Sequence, residues 1–315
     1  GLMAMYALWK KLRSLEGQYD LVIVPMSISR IYPVVARFAT SKPVLFEPLF
    51  SLYDNWINDR RLAHPFHPKA PSYWFLDFLA AHVSDYLILD NEAHISYWQK
   101  KYGVSKTKCI CALIGADDEI FFPRERQRTN DAFEVEFHGK YIPLQGPQVV
   151  VRAAKLLEGK GIHFTMIGSG QESKDVHALA ETLNVTNVTF LPYLTQSEIA
   201  TYIANADVCM GHSGDRPRVA RSLPNKLYEA AAMKRVTINV DTPAIREVFT
   251  PGIDIIGTRA GDHEDLARAI LELKQGGQAD EMGERAYLVY KNVGTPQKIG
   301  QKLYSKMTEL GLVKL

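Results

Sequence analysis

The apolar positions of this chain fall into short β-branched or aromatic runs separated by amphipathic stretches. That is the pattern of a mostly parallel sheet covered by helices on both faces. In the first half the runs are "YDLVIVP", "KPVLFEP", "SDYLILD" and "KCICALIG", and the helical stretches "SYWFLDFLAAHV" and "EAHISYWQKKYG" separate the last three. "GLMAMYALWKKLRSLEGQ" ahead of them reads as an amphipathic helix. The stretch from Phe121 to Ala132, "FFPRERQRTNDA", is polar, basic and without period, and reads as a domain boundary.

A second alternating unit follows. Strands are predicted at "FEVEFHG", "IHFTMIG", "NVTFLP", "ADVCMG" and "RVTINV", with helices at "PQVVVRAAKLLEGKG", "KDVHALAETLNV" and "PNKLYEAAAM". Thr195 and Glu198 form a capping-box pair for a helix running to Asn205, and Thr242-Pro243 reads as another helix start. In "GTPQKIGQKLYSKMTEL", Ile299, Leu303, Met307 and Leu310 recur at helical spacing, so one face should be buried. The expected division is an acceptor-side domain over 1–126, a second domain over 127–295, and a C-terminal helix over 296–315 that crosses back to the first domain.

Composition narrows the picture modestly. A length of 315 residues suits two domains, and a net charge of +2 gives no argument for a nucleic-acid partner. Three cysteines are too few for a disulfide scaffold and point to a reducing compartment, hence to a cytoplasmic protein. Lys10, Lys11 and Arg13 read as a solvated face, with peripheral contact at the inner membrane face through the first domain as the alternative. His64 and His67, in "HPFHPKAP", lie in a proline-bounded loop rather than a metal site.

Candidate chemistry sits in the loops that follow the strands of the second domain, where open α/β sheets bind ligands. "HGKYIPLQGPQ" carries Gly139, Lys140 and Gly146; "GSGQE" carries Gly168, Ser169 and Gly170; "DRPRVARSLPNK" brings Arg216, Arg218, Arg221 and Lys226 to a helix start. Together they suggest an anionic ligand held by backbone N–H groups and helix N-termini. No GxxxxGK[ST] or GxGxxG pattern accompanies them. On the helix, Ser222, Lys226, Glu229 and Met233 share one stripe, expected to face the ligand. Leu223, Leu227, Ala230, Ala231 and Lys234 form the stripe expected to pack. Glu229 is placed to accept hydrogen bonds from a diol such as a ribose; the competing reading is a Lys226–Glu229 surface pair.

From about Phe133 to Leu273 the sequence resembles the donor domain of family 4 retaining glycosyltransferases, in the subfamily with a "PNK" motif. "EFHGKYIPLQG" is similar to that family's phosphate loop, "MIGSGQE" to its Gly-Asp-Gly-Pro-Glu loop, and "FLPYLTQSEIATYIANADV" to its base-contacting segment. "PNKLYEAAAMKRVTINVDTPAIREV" resembles its signature helix, strand and turn. More loosely, "QYDLVIV", "KPVLFEP", "VSDYLILDNEAH" and "LIGADDEIFFP" correspond to later segments of its acceptor domain.

The resemblance implies a GT-B fold, with two Rossmann-like doubly wound domains facing across a cleft. It implies transfer of a sugar from a UDP- or GDP-sugar to a glycan or lipid-linked acceptor with retention of configuration, without a metal. Lys140, Lys226 and Glu229 would be the catalytic set. Gly139, Gly168, Ser169, Gly170, Tyr193, Leu194, Arg221, Leu223, Pro224 and Asn225 would surround the donor, with Tyr193 and Leu194 at the base. Glu47 and Asp54 would face the acceptor. Arg221 stands where the family has the first Glu of its E-x7-E pair, Lys140 where it has an arginine, and Gln145 where it has a lysine; Lys226 is the compensating cation. The alternative is a non-catalytic nucleotide-sugar or glycan-binding protein. The family's first strand and Gly-rich loop have no counterpart, so roughly 60 to 80 residues of a parent are expected to be absent. A sheet without that strand should expose a broad edge, and this chain alone is expected to bind nucleotide without transferring sugar.

Overall fold

The computed structural model describes residues 2–25, 29–127 and 131–313. The chain divides into two compact units, one of residues 1–113 with 299–315 and the other of residues 114–298.

The first unit runs α1 (Leu2–Ser14), β1 (Val22–Val24), α2 (Ile31–Ala39), β2 (Val44–Phe46), α3 (Ala70–Val83), β3 (Tyr86–Leu89), α4 (Glu92–Tyr102) and β4 (Cys109–Cys111). The four strands pair in parallel in chain order, with Val22 opposite Val44, Leu45 opposite Tyr86 and Leu87 opposite Cys109. Val44, Leu45 and Phe46 are fully buried, as expected of a parallel strand covered on both faces. Asn91 caps α4 by accepting from His94 N at 2.7 Å, and Gly103 ends it in the left-handed region. Trp74 and Phe78 of α3 pack onto the cluster around Leu87, Trp98 and Tyr102, so these aromatic side chains are core.

The second unit runs β5 (Phe133–His138), α5 (Pro147–Leu156), β6 (Ile162–Ile167), α6 (Ser173–Thr182), β7 (Val188–Leu191), α7 (Gln196–Asn205), β8 (Val208–Met210), α8 (Asn225–Ala232), β9 (Val236–Val240), β10 (Ile256–Thr258), α9 (His263–Gly276) and α10 (Ala279–Val293). Its six-stranded parallel sheet has the order β10-β9-β8-β5-β6-β7. The capping box of α7 forms at Thr195 and Glu198. The helix expected at Thr242-Pro243 is one short turn, Ile245–Glu247, with Thr242 Oγ1 accepting from Ile245 N at 3.3 Å.

The segment read as a boundary behaves differently from that reading. Arg126 pairs with Asp207 and Asp280, and Tyr290 Oη lies 3.4 Å from Ala116 O, which ties residues 114–127 to the second unit. Residues 128–130 of that stretch lie outside the described residues. The last helix, α11 (Pro296–Glu309), turns Leu303 and Met307 onto a cluster of Leu45, Ile88 and Ile110 in the first unit.

Candidate functional site

Strand order places the second unit's switch point between β5 and β8, because the chain leaves β5 toward β7 and then returns to the other side. In open α/β sheets the loops after two such strands diverge, and ligands bind at that point. The neighbouring loops are locked together backbone to backbone through glycines. A Cβ on Gly168 would lie 2.0 Å from Gly139 O, one on Gly214 2.1 Å from Pro143 O, and one on Gly146 2.4 Å from Gly214 N. Gly168 also has a φ of +132°, which side chains rarely adopt. Close packing of loops 139–146, 168–170 and 211–214 thus explains the glycine pattern.

Side chains of β5 alternate between two environments. Val135 and Phe137 enter the main core, while Glu136 and His138 are buried on the opposite face, 2% and 6% exposed. His138 Nδ1 lies 2.9 and 3.1 Å from the two oxygens of Glu136, and Nε2 lies 2.8 Å from Glu229 Oε2 on α8. An imidazole that faces a carboxylate at each nitrogen donates from both only as the imidazolium. Burial would push its pKa down, but Glu136 and then Glu229 outweigh burial and hold it up at about 9.

Lys226 lies one turn before Glu229 and is 5% exposed. Its Nζ donates to Gln145 Oε1 at 2.9 Å and sits 4.2 Å from the ring centroid of Phe137. Burial lowers its pKa to about 8, against the pull of Glu136 and Glu229. The surface pair between Lys226 and Glu229 does not form, because each side chain is engaged elsewhere. Nor does α8 divide into a packed and an open stripe: Met233 is fully buried, since the helix packs on β8, β9 and α10.

The remaining expected residues spread across this unit. Lys140, Ser169, Gly170 and Asn225 are exposed, and Tyr193 is 80% exposed beside the half-buried Leu194. Leu223 is buried and the half-buried Pro224 precedes α8. Arg221 donates to Pro217 O at 2.8 Å, closing the turn Pro217–Arg221.

In the first unit, Asp54 does not present an open carboxylate. It is 2% exposed in the π-helical turn Asp54–Asp59, accepts from Asn58 Nδ2 at 2.9 Å, and has its N–H on Ser51 Oγ. Glu47 is half-buried and heads a loop clamped by a buried Arg30–Asp77 ion pair at 2.8 Å. Arg30 donates to Pro48 O, and Asp77 accepts from Ser51 Oγ, Tyr53 N and Tyr102 Oη. His64 and His67 accept from the N–H groups of Phe66 and Lys69, each closing a local turn.

Glu136, His138, His212 and Ser213, buried polar residues of the second unit, escaped the sequence reading. Glu136 and His138 alternate with Val135 and Phe137 in a central strand, where both faces are normally apolar; that mismatch was the available signal. His212 and Ser213 follow β8, and His212 Nδ1 and Ser213 Oγ are buried without a hydrogen-bond partner. Burial, with Lys226 and Arg218, holds the His212 pKa well below the ordinary value, so the ring is neutral. Unsatisfied buried polar atoms are rare and costly, and a bound ligand is one way to satisfy them.

Residues 132–275 match the family model described as Glycosyl transferases group 1. D-inositol 3-phosphate glycosyltransferase of Paenarthrobacter aurescens (strain TC1) is 24% identical over 215 residues, covering 64% of this chain and 52% of the relative. The enzyme of that name from Mycobacterium bovis (strain BCG / Pasteur 1173P2) is 29% identical over 136 residues, or 40% of this chain and 28% of the relative. The chain thus spans about half the length of the first relative and under a third of the second. Among solved structures, Anabaena Alr3699/HepE in complex with UDP-glucose superposes with a TM-score of 0.75 at 15% identity, covering 96% of this chain and 82% of that one. Sucrose-phosphate synthase from Thermosynechococcus elongatus superposes with a TM-score of 0.77 at 14% identity, covering 96% and 76%. The fold is that of GT-B glycosyltransferases, with two parallel-sheet α/β units.

Proposed function

We propose that this chain is the nucleotide-sugar-binding and transferring part of a retaining glycosyltransferase. Its donor, a UDP- or GDP-sugar, would lie at the carboxyl ends of β5, β6 and β8. The observation that carries this reading is the placement, on one turn of α8, of a buried lysine and a separately held carboxylate at the sheet's switch point. A cation beside glycine-tight loops suits a diphosphate, and a carboxylate suits the vicinal hydroxyls of a ribose. Similarity to a structure holding UDP-glucose supports the choice of ligand class. Glu229 would accept from the ribose, Lys226 and Lys140 would neutralise the departing diphosphate, and Tyr193 with Leu194 would flank the base.

The chemistry asked of the protein is then positioning and electrostatic. The acceptor hydroxyl must be brought to the anomeric carbon, and charge developing on the diphosphate must be met by groups already in place. The acceptor is taken to be a glycan or a lipid-linked sugar.

The test is a screen of UDP- and GDP-sugars for binding, followed by transfer assays on the gene product that contains this chain. Product configuration is read by proton NMR. Sugar transfer with an unchanged anomer supports the proposal. Binding without transfer to any acceptor favours a nucleotide-sugar-binding protein, and absence of nucleotide binding overturns both readings.

A further inference from the structure

We infer that His138 is a positioning residue for donor recognition: clamped between Glu136 and Glu229, it fixes the Glu229 carboxylate so that one oxygen is left for the ligand. The inference rests on the ribose role proposed for Glu229 and adds to it the device that makes the carboxylate selective.

Three observations carry it. Glu229 Oε2 is spent on His138 Nε2 at 2.8 Å, on a side chain that is still 12% exposed. Oε1 is therefore the oxygen left to accept from a hydroxyl. His138 cannot drift, because its other nitrogen faces both oxygens of the buried Glu136. Both Glu136 and His138 stand on a central strand, a more rigid base than a loop.

The charges facing the imidazole explain why a histidine suits this place. Glu136 comes from β5, Glu229 and Lys226 from α8, and the Cys209 thiol from β8 adjoins Glu136. With His138 protonated, two carboxylates meet two cations. A neutral side chain there would leave an excess negative charge beside the place proposed for an anionic ligand. A side chain there without a donor would also free Glu229 to turn toward Lys226 or solvent, and a diol would then carry the ordering cost on binding.

A role in orienting Glu229 differs measurably from a role in folding. Loss of general stability weakens all nucleotides alike, whereas loss of orientation weakens only those with ribose hydroxyls. The experiment titrates UDP and GDP and their 2′,3′-dideoxy forms into the wild type and into Glu229→Ala, His138→Leu, His138→Gln and Glu136→Gln, with thermal midpoints measured alongside.

The wild type should prefer the ribose form of its nucleotide by about tenfold or more, and His138→Leu should reduce that preference to about threefold or less. His138→Gln, whose amide can donate to Glu229, should keep most of it. A folded His138→Leu that retains the full preference overturns the inference. If His138→Leu does not fold, Glu136→Gln decides: a reduced preference supports the inference and an unchanged one overturns it. Glu229→Ala tests the underlying reading separately, because a preserved preference there removes the ribose role itself. Binding of neither nucleotide to the wild type removes both.

Discussion

His138 Nε2 lies 2.8 Å from Glu229 Oε2, joining the last residue of the central strand β5 to the middle of α8 across 91 positions of sequence. This contact turns an acidic residue on an apolar helix from an anomaly into part of a buried charge cluster. It also ties the stability of the second unit to pH.

The pH dependence has a definite sign. The folded pKa of His138, about 9, is above its ordinary value of 6.5. Its contribution is therefore complete below about pH 6.5 and lost as pH rises through about 9. The stability difference between wild type and His138→Gln should shrink over that window by roughly 2–3 kcal/mol. Taking the difference cancels the opposite contribution of Lys226, whose depressed pKa of about 8 costs stability at lower pH and is relieved above it. Urea titrations at several pH values measure this; a constant difference contradicts the clamp.

Lys226 should set the upper pH limit of anion binding. Its pKa of about 8 means that the charge is lost above that value, so UDP affinity should fall as pH rises from 7 to 9. Lys226→Met should weaken binding by about 1.5–3 kcal/mol at pH 7, the usual worth of a charged hydrogen bond. It should also remove this limb of the profile. Calorimetry at the two pH values reads both effects.

Ser213 offers a separation of folding from function. Its buried hydroxyl has no partner, so Ser213→Ala should leave the thermal midpoint unchanged or raise it. If the hydroxyl meets the ligand, affinity for nucleotide sugar should drop by about 1 kcal/mol in the same variant. A lowered midpoint with unchanged affinity would make Ser213 a folding residue only.

Gly168 should behave as a folding residue. Gly168→Ala adds a Cβ 2.0 Å from Gly139 O at a φ of +132°. It should cost about 2–4 kcal/mol in denaturant titration. A cost below 1 kcal/mol would mean that loops 139–146 and 168–170 are not locked together.

Much of the fold was legible because parallel strands and their helices differ in period. Runs such as "PVLF" have no polar face to lose, and Val44, Leu45 and Phe46 became a fully buried strand. Boundaries read from composition fared less well. "FFPRERQRTNDA" is polar, yet Arg126 binds Asp207 and Asp280, partners about 80 and 154 residues away that no local pattern reveals. The site was half legible. Lys226 and Glu229 stood out against apolar neighbours, but their partners Gln145 and His138 lie far off in sequence. Asp54 shows the converse error: it follows a strand as a ligand-facing residue would, but a π-helical turn buries it against Asn58.

The most direct measurement is a crystal structure of the protein with UDP or GDP, whichever binds. The nucleotide should lie at the ends of β5, β6 and β8, with ribose hydroxyls within hydrogen-bond distance of Glu229 and phosphate oxygens near Lys226 and loop 139–146. His138 should keep its contacts to Glu136 and Glu229. A nucleotide bound elsewhere, or bound there with Glu229 turned away from the ribose, would contradict this placement.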